Sequence, residues 1–356
     1  MNDPKLTIPI LGFNQSGGIR IISELANHMT SQGWVVEILC PEDAAEPLFP
    51  LSDTVKIKTY PIWGHSWIRI ISALLQICIS SCNKTTVCLA NYYPTSFAIF
   101  LSWLLWGRNA QLVYLIQGYE PLIMMKPNRN QWINRFMATI ANTSYRLPFD
   151  RIAVSSWIQS KINREMSIIP NGIDTTLFYA TEAIKSQNTT FTIGAIGRTA
   201  SIKGFDIFCK AVGSFLTDPN IEIMILSDEL NIAPQGMTLV QAQSDDDIRG
   251  FYQSCDVFIY PSRMDGFGLP PLEAMACGTP VILTDSGGVL EYANAQNAII
   301  VAVDDNDAIA EAIMTLYNTP SERKRLRQEG LKTAYQFSKE AMLRKYQIYF
   351  EEYKSL

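Results

Sequence analysis

The sequence predicts an α/β protein built from two doubly wound, Rossmann-like parallel sheets. The chain has 356 residues, which suits two domains of ordinary size. Apolar residues make up 47% of it, enough to fill two cores. Strand and helix patterns alternate in two separate series, which is typical of parallel sheets. The turn signature Pro170-Asn171-Gly172 divides the series, so we expect domains over residues 1–170 and 171–338.

The first series begins with a strand over residues 5–13, a Gly-Gly turn, a helix over about 18–31 and a strand over 34–39. Apolar side chains recur along the helix near the 3.6-residue period of an amphipathic helix. They are Ile21, Ile22, Leu25 and Met29. Further strands are predicted at 86–90, 111–116 and 151–154, with helical segments between them.

The second series begins with a strand that ends at Gly197-Arg198. Its predicted strands are 191–196, 221–226, 237–240, 257–260, 280–284 and 298–301, and its predicted helices include 206–215, 245–254 and 271–276. The last segment, 321–356, is expected to be helical, with an aromatic stripe that packs into a core. The stripe consists of Tyr335, Met342, Tyr346, Tyr349 and Tyr353.

The composition excludes several classes of function. The net charge of −5 argues against nucleic acid as a partner. With only two histidines, no site can use three His ligands, and His-based triads have little room. Seven cysteines, an odd number scattered through apolar segments, indicate reduced thiols and a cytoplasmic protein. The N-terminus lacks the basic and apolar regions of a signal peptide.

Two apolar segments of the first domain are short for a membrane span. They cover residues 67–79 and 97–106, whereas a spanning helix needs about 20 apolar residues. We therefore expect no membrane span, and both segments are either buried helices or helices that dock on a surface.

The densest chemical signal is the string from Pro261 to Pro280, in which a strand leads through a glycine-rich turn into a helix. Gly266 and Gly268 allow the backbone to approach a ligand closely. The N–H groups of residues 267–269 and the helix N-terminus favour an anion such as phosphate. Asp265 and Glu273 flank this site, and carboxylates accept hydrogen bonds from vicinal sugar hydroxyls. The alternative is a capped turn with solvated acids.

Two weaker signals accompany the first. Arg198 and Lys203 follow the first strand of domain two, at the edge where parallel sheets bind ligands. Two cations there can neutralise a diphosphate leaving group without a metal, although a solvated Arg and Lys is the alternative. In domain one, Gly17-Gly18 offers open backbone amides. The dinucleotide fingerprint G-x-G-x-x-G is absent, which disfavours an oxidoreductase.

Together these motifs resemble glycosyltransferase family 4, the retaining enzymes of the GT-B fold. The matching elements are Gly17-Gly18, Ser155-Ser-Trp157, Ile169-Pro-Asn-Gly-Ile-Asp174, the Arg198-x4-Lys203 pair, Asp256 to Ser262, the Gly266-Phe-Gly-Leu-Pro loop, Gly287-Gly288 and Glu291. Two departures stand out. The family's Glu-x7-Glu pair is Asp265-x7-Glu273 here, and Gln117 occupies a position where a His is frequent. The string Gln117-Gly-Tyr119-Glu120-Pro is similar to that of members acting on deoxysugars or surface polysaccharides, including rhamnosyltransferases.

The resemblance implies two Rossmann-like domains facing a cleft, with a C-terminal helix at about 339–356 crossing back to domain one. It also implies transfer of a sugar from a nucleotide diphosphate sugar to an acceptor hydroxyl, with retention, in cell-surface polysaccharide or glycolipid assembly. The implied catalytic residues are Arg198, Lys203 and Asp265. The implied donor-binding residues are Gly17, Gly18, Val240, Gln241, Phe267, Gly268, Leu269 and Glu273. Gln117, Tyr119 and Glu120 are expected on the donor-sugar or acceptor side. Neither a cofactor nor a metal is implied.

Two other functions stay open: a non-catalytic sugar-nucleotide-binding relative, and a sugar-nucleotide epimerase of the same fold. A second partner is indicated by a basic stretch over residues 121–164, which contains seven cationic residues and a single acidic one, Asp150. The cations are Lys126, Arg129, Arg135, Arg146, Arg151, Lys161 and Arg164. Such a stretch suits an anionic membrane surface that carries a glycan or lipid-linked acceptor, and an ordinary solvated face is the alternative. The expected location is cytoplasmic, with peripheral attachment to the inner face of the membrane.

Overall fold

A computed structural model describes residues 3–82, 86–106, 109–125, 129–181 and 190–354. The chain forms two compact units. Unit 1 comprises Met1–Pro170 and Met342–Leu356, and unit 2 comprises Asn171–Ala341. The last helix of the chain therefore contributes most of its length to unit 1.

Unit 1 contains a seven-stranded parallel sheet with the strand order β3-β2-β1-β4-β5-β6-β7. Its strands are β1 (Lys5–Pro9), β2 (Val35–Pro41), β3 (Lys56–Tyr60), β4 (Val87–Ala90), β5 (Gln111–Ile116), β6 (Asp150–Ala153) and β7 (Ser167–Ile168). Its central strands β1, β4 and β5 are almost entirely buried, as expected when helices cover both faces of a parallel sheet.

The helices of unit 1 lie on both faces of this sheet. They are α1 (Gly17–Ser31), α2 (Ser66–Ser80), α3 (Tyr93–Trp106), α4 (Glu120–Ile123), α5 (Gln131–Ser144), α6 (Ser156–Ile162) and α12 (Lys339–Glu351). The chain runs from β1 to β2 in one direction along the sheet and from β3 through β4 and β5 to β6 in the other. Because such crossovers are right-handed, α2, α3 and α5 lie on the face opposite α1.

Unit 2 contains a six-stranded parallel sheet with the order β10-β9-β8-β11-β12-β13. Its strands are β8 (Phe191–Ile196), β9 (Ile221–Leu226), β10 (Thr238–Val240), β11 (Val257–Tyr260), β12 (Val281–Thr284) and β13 (Ile299–Val301). Its helices are α7 (Phe205–Val212), α8 (Asp245–Ser254), α9 (Leu269–Ala276), α10 (Asn306–Asn318) and α11 (Pro320–Gln336). β8, β9 and β11 pack with α7 and α10 into the core of this unit.

The predicted fold class of two Rossmann-like parallel sheets is confirmed. The strands expected at 111–116, 191–196, 221–226 and 257–260 have the observed bounds. Sequence analysis missed β3 and β7, the two edge strands of the first sheet. An edge strand needs no continuous apolar run, and four of the five residues of β3 are exposed.

The C-terminal segment, expected to be helical, forms two helices, α11 and α12, with a break at residues 337–338. At the break, the Phe337 carbonyl accepts a 3.0 Å hydrogen bond from the Ile173 N–H, and the Lys339 N–H donates to the Ile173 carbonyl at 2.7 Å. Ser338 then caps α12 by accepting from the N–H of Ala341 at 3.2 Å. Helix 206–215 is also shorter than expected, because α7 ends at Val212 and a 3-10 turn follows from Gly213 to Thr217.

The aromatic stripe of the last segment is largely core, as expected. Tyr346 and Phe350 are fully buried, and the Phe350 ring meets the Trp34 ring edge-on at 6.0 Å. The Tyr353 hydroxyl donates to Asp150 at 2.9 Å. Tyr335 was wrongly included in the stripe, because it lies on α11 and is 70% exposed.

All seven cysteines are free thiols. Within the described ranges, no helix is both long enough and apolar enough to cross a bilayer.

Replacing Phe350 with alanine tests how strongly α12 stabilises unit 1. We expect Phe350→Ala to lower the free energy of unfolding by about 3–5 kcal/mol, because it empties a fully buried ring site beside Trp34. Urea unfolding followed by circular dichroism measures the loss. The control is Ile348→Ala on the same helix, whose side chain is 60% exposed and should change stability by less than about 0.5 kcal/mol. Equal effects of the two variants would contradict the packing of α12.

Candidate functional site

In unit 2, a close approach between two backbone segments creates the candidate site. The 3-10 turn Ser201–Lys203 follows β8, and the loop from Pro261 follows the neighbouring strand β11. Gly204 lies between them at φ +67°, and a Cβ there would sit 1.9 Å from the Pro261 carbonyl oxygen. Only glycine fits this position. The Arg263 N–H donates to the Ile202 carbonyl at 2.8 Å and joins the two segments directly.

The Arg263 side chain clamps the same two segments. Its guanidinium bonds both carboxylate oxygens of Asp206 at 2.8 and 2.7 Å, and Asp304 at 2.6 Å. It also donates to the Ser201 carbonyl. Hydrogen bonding with Asp206 raises the pKa of Arg263 above its usual value, so the clamp is charged at every physiological pH.

The approach brings Lys203 and Asp265 into an ion pair. The Lys203 Nζ lies 3.0 Å from Oδ1 and 2.9 Å from Oδ2 of Asp265. Asp265 Oδ2 also accepts from the Tyr260 hydroxyl at 2.5 Å and from the Ser262 hydroxyl at 2.8 Å. Burial, followed by the charge of Asp265, raises the pKa of Tyr260 well above its ordinary value, so this phenol stays a donor. The predicted cation and the predicted acid are therefore direct partners.

The predicted late glycine turn lies against the Asp265 loop. The Asp265 N–H donates to the Ser286 carbonyl at 2.9 Å, and the Gly288 N–H donates back to the Asp265 carbonyl at 2.9 Å. A Cβ on Gly288 would lie 2.1 Å from the Gly266 carbonyl oxygen. Two strings that are 21 to 23 residues apart in sequence thus form one backbone platform.

The loop Phe267–Leu269 presents unpaired backbone donors at the start of α9. Gly268 has φ +81°, and the Tyr292 hydroxyl holds its carbonyl at 2.5 Å. The Phe267 ring is buried against the rings of Tyr292 and Phe337 at 5.2 and 6.1 Å. In the part of the chain that the structure describes, the N–H groups of residues 267–269 donate to no protein acceptor. Since α9 begins with Leu269 followed by two prolines, these amides are well placed for an anionic or hydroxyl ligand.

Glu273 lies in the second turn of α9, half-buried. Its Oε2 accepts a hydrogen bond from the Tyr252 hydroxyl at 2.9 Å. The tyrosine fixes one carboxylate oxygen, which pre-orients the group as an acceptor for ligand hydroxyls.

The remaining predicted residues of unit 2 lie along the same sheet edge. Arg198 follows β8 and is exposed, with its guanidinium 3.5 Å from Asp228. Val240 and Gln241 are at the end of β10, two strands away from β8. The Val240 carbonyl accepts from the Ser227 N–H at 3.0 Å. Lys203, Asp265 and the 267–269 amides therefore form a cluster, with Arg198 and Val240–Gln241 on neighbouring strand ends.

In unit 1, the structure brings Gly18 and Gln117 together. Gln117 Nε2 donates to the Gly18 carbonyl at 3.3 Å, and a Cβ on Gly18 would lie 2.9 Å from Gln117 Oε1. Gly17 and Gly18 form the start of α1, which Ser16 caps by accepting from the Ile19 N–H at 3.4 Å. Gln117 Oε1 is buried and has no hydrogen-bond partner within the described residues.

Glu120 is buried rather than open to a ligand. Its side chain accepts from the Tyr93 N–H at 3.0 Å, the Tyr114 hydroxyl at 2.6 Å and the Tyr145 hydroxyl at 3.4 Å. Desolvation raises the pKa of Glu120 to about 8, so it is largely neutral at pH 7. The half-buried ring of Tyr119 stacks on Tyr145 at 6.3 Å. The sequence analysis expected Glu120 on the sugar side, whereas the structure places its carboxyl in the core.

Sequence reasoning missed several side chains that shape the site. Tyr260 and Ser262 lie in the recognised string from Asp256 to Ser262 and could have been found there. Arg263, Tyr252 and Tyr292 gave no local signal, because their partners lie 21 to 57 residues away in sequence. Across the described residues, no group of three or more His, Cys, Asp or Glu side chains could hold a metal ion.

Unit 2 is similar in sequence to a known protein family. Residues 180–333 match the family model described as glycosyl transferases group 1. Most of unit 2 is therefore similar to the group 1 glycosyl transferases. Its Lys203–Asp265 pair, glycine loop and Glu273 all lie within the matched residues.

Individual relatives agree with this assignment. An uncharacterized glycosyltransferase of Methanocaldococcus jannaschii is 23% identical over 252 residues, spanning 67% of this chain and 68% of the relative. The lipopolysaccharide core biosynthesis mannosyltransferase of Rhizobium meliloti is 28% identical over 187 residues. That match covers 45% of this chain and only 53% of the relative, about half its length.

The two-unit fold is shared with solved glycosyltransferase structures. The crystal structure of Anabaena HepE in complex with UDP and glucose superposes with a TM-score of 0.75 at 15% identity. The superposition covers 98% of this chain and all of the HepE chain. At this identity the likeness establishes the fold, which is GT-B.

The buried carboxyl of Glu120 predicts a specific dependence of stability on pH. A carboxyl whose pKa is raised in the folded state contributes stability that is complete below its unfolded value of 4.5 and is lost as pH rises through about 8. Glutamine cannot ionise, so Glu120→Gln should not lose this stability. Relative to wild type, we expect its free energy of unfolding to rise by on the order of 2–4 kcal/mol between pH 4.5 and about 8. Urea unfolding at a series of pH values measures it.

The matched control for this experiment is Glu311→Gln, which changes an exposed carboxylate on α10. It should track wild type at every pH. A difference between Glu120→Gln and wild type that stays constant with pH would show that Glu120 is ionised in the folded protein.

Proposed function

We propose that this protein is a retaining glycosyltransferase of family 4 that moves a sugar from a nucleotide diphosphate sugar to an acceptor hydroxyl. The observation that carries the proposal is the set of unpaired N–H groups at residues 267–269 beside the Lys203–Asp265 pair. An anion-binding platform next to a cation and a carboxylate suits a ligand that carries both phosphates and hydroxyls. The UDP and glucose bound by HepE support a donor of this class.

We assign the donor's parts to separate groups of unit 2. Glu273, with one oxygen held by Tyr252, accepts the ribose hydroxyls. Asp265 and the amides of Phe267, Gly268 and Leu269 hold the donor sugar. Val240 and Gln241, at the end of β10, face the base.

Arg198 and Lys203 supply positive charge to the leaving diphosphate. A lysine ammonium has three N–H donors, and the two contacts to Asp265 leave one for a phosphate oxygen. As the glycosidic bond breaks, charge grows on this oxygen and the interaction strengthens, which lowers the barrier. The acceptor proton passes to the same leaving oxygen in a front-side displacement. On this proposal no metal is required, because the two cations fill its role.

The residues of unit 1 are proposed to serve the sugar or acceptor side. Gln117 contacts Gly18, which follows Gly17 at the start of α1, and Tyr119 lies two residues after Gln117 in the loop that follows β5. Glu120 is proposed to position this loop. Its carboxyl, at the start of α4, accepts hydrogen bonds from the buried hydroxyls of Tyr114 and Tyr145. The Gln117-Gly-Tyr-Glu string supports a deoxyhexosyl donor of the rhamnosyl type or another hexosyl donor used for surface polysaccharides.

The acceptor is proposed to be a glycan or a lipid-linked glycan of cell-surface polysaccharide or glycolipid assembly, met at the cytoplasmic face of the membrane. The lipopolysaccharide enzyme among the relatives supports this. The basic stretch 121–164 contributes electrostatic attraction through exposed cations such as Arg135 and Lys161. Arg151 is occupied internally, since its guanidinium bonds the carbonyls of Tyr145 and Leu147. Lys126 lies outside the described residues.

Removing either proposed cation should slow transfer strongly. We expect Arg198→Ala and Lys203→Ala each to lower kcat by about 10²–10³-fold, the usual loss for one preorganised charge stabiliser. Lys210→Ala, which removes an exposed lysine on α7, is the control and should leave kcat unchanged. Steady-state transfer with and without EDTA measures both the cations and the metal independence. Near-normal turnover in both variants would remove the leaving-group role.

Nucleotide sugars should stabilise the protein according to affinity. We expect one of the UDP-, GDP- and dTDP-sugars, at 100 times its dissociation constant, to add about 2.7 kcal/mol and raise the melting temperature. Glu273→Gln should lose this shift because it weakens the grip on ribose, while Glu311→Gln should keep it. If no nucleotide sugar shifts the melting temperature, the donor class is wrong. Release of an epimerised nucleotide sugar without acceptor would identify an epimerase instead.

A further inference from the structure

The solvent-facing sides of α2 and α3 are made of apolar side chains. Among the described side chains of these two helices, every exposed position carries an aliphatic residue or a tryptophan. On α2 these are Ile68, Ile70, Ile71, Leu75 and Ile79, and on α3 they are Leu101, Leu104, Leu105 and Trp106. Their exposure ranges from 43% at Leu104 to 61% at Leu105. A surface helix normally turns charged and polar groups to water, so these two helices lack a polar face.

The two helices pack side by side, and their neighbours continue the apolar surface. The Trp106 indole donates to the Cys78 carbonyl at 3.2 Å, and the Cys82 N–H donates to the Ser102 hydroxyl at 3.1 Å. Tyr93, Met124 and Ala141 form a small core that joins α3 to α4 and α5. Exposed apolar residues follow on α4, just after it and at the start of α5: Leu122, Ile123, Met125, Trp132, Ile133 and Phe136. We call this surface of α2, α3, α4 and the start of α5 the apolar face.

Charge along this part of the chain is one-sided. Residues 61–149 contain a single carboxylate, Glu120, which is buried. The same segment contains seven cations: Arg69, Lys84, Arg108, Lys126, Arg129, Arg135 and Arg146. Exposed tryptophans accompany them, with Trp63 and Trp132 at 63% and 77% exposure. Lys, Arg and Trp beside an apolar surface are the residues favoured at a membrane interface.

We propose that the apolar face inserts into the surface of an anionic lipid bilayer, with α2 and α3 lying in the plane of the membrane. At 15 and 14 residues the two helices are too short to span it, since a span needs about 20 residues. Burial of their exposed side chains supplies the hydrophobic attraction, and the surrounding cations add attraction to anionic headgroups. A second copy of the chain is the less favourable occupant, because two faces rich in cations and poor in carboxylates repel each other.

Insertion also gives the acceptor a route to the enzyme, a consequence that rests on the proposed function. α4 begins at Glu120, directly after the proposed sugar-side residues Gln117 and Tyr119. Its exposed Leu122 and Ile123 belong to the apolar face. A bilayer against this face therefore holds the head of a lipid-linked acceptor close to the end of β5.

Vesicle binding of the full chain tests the insertion. We expect wild type to co-sediment with phosphatidylglycerol–phosphatidylethanolamine vesicles and to keep at least half of this binding in 0.5 M NaCl, a salt level that removes purely electrostatic attraction (Debye length about 4–5 Å). The double variant Leu75→Asp/Leu105→Asp should bind at least about tenfold more weakly, because two leucines no longer enter the hydrocarbon. Both leucines are exposed, so the variant should melt at the wild-type temperature.

The matched control is Ile348→Asp, an equally exposed aliphatic residue on α12, which packs beside α1 on the other side of the sheet. It should bind vesicles like wild type. Wild type that fails to bind, or a double variant that binds as tightly as wild type, overturns the proposal. Binding abolished by 0.5 M NaCl also overturns it, since the basic stretch alone would then account for attachment. A lipid-free dimer that Leu75→Asp/Leu105→Asp dissociates would assign the face to self-association instead.

Donor hydrolysis without acceptor separates this proposal from the proposed function. The double variant should hydrolyse the nucleotide sugar at the wild-type rate, because neither leucine lies in unit 2. Vesicle binding without any donor hydrolysis would support the apolar face and count against the transferase proposal. Donor hydrolysis without vesicle binding would do the reverse.

Discussion

The candidate site depends on one steric constraint, the contact of the Gly204 backbone with the Pro261 carbonyl. Any side chain at Gly204 would collide with that oxygen at 1.9 Å. The contact places the turn that carries Lys203 against the loop that carries Asp265, and Arg263 then locks the turn through Asp206 and Asp304. Without the approach, the cation and the acid would lie on separate strand ends. Glycine is therefore used here for space as well as for its φ of +67°.

The same constraint gives a physical role to the shorter acid of the Asp265-x7-Glu273 pair. Asp265 accepts from Lys203, Tyr260 and Ser262, so its carboxylate is held back against the sheet edge by three donors. A glutamate would reach one methylene farther from the loop. The ion pair is partly shielded, with 35% of the lysine side chain and 17% of the aspartate side chain exposed. The lysine side chain therefore stays accessible from solvent while the aspartate fixes its position.

The distribution of charge in unit 1 differs from that in unit 2. The one carboxylate of unit 1 between residues 61 and 149 is buried among tyrosines and largely neutral. Among the described side chains of this segment, Arg135, Arg146, Trp63, Trp106 and Trp132 are exposed. The helices around the carboxylate expose aliphatic side chains where soluble helices expose acids and amides. Unit 2 carries a compact polar site, and unit 1 carries an apolar surface with a basic margin. The net charge of −5 averages over these two different halves.

The sequence by itself determined the repeated parallel sheet, the central strands and the residues of the glycine loop, because these depend on local patterns of apolar spacing and turn chemistry. The bounds of strands 191–196 and 257–260 were predicted correctly from their own residues alone. Only the tertiary structure decided which groups meet. The pairing of Lys203 with Asp265 spans 62 residues, and the contact of Gly18 with Gln117 spans 99.

Burial was likewise beyond local patterns. The local sequence around Glu120 predicts an exposed acid. The apolar segments 67–79 and 97–106 are equally compatible with buried and with exposed helices. The neighbours that decide these cases come from distant parts of the chain: Tyr145 for Glu120, and the absence of any covering element over α2 and α3 within the described residues. Spacing along a chain fixes which face of a helix is apolar, but only the assembled fold decides whether that face meets protein.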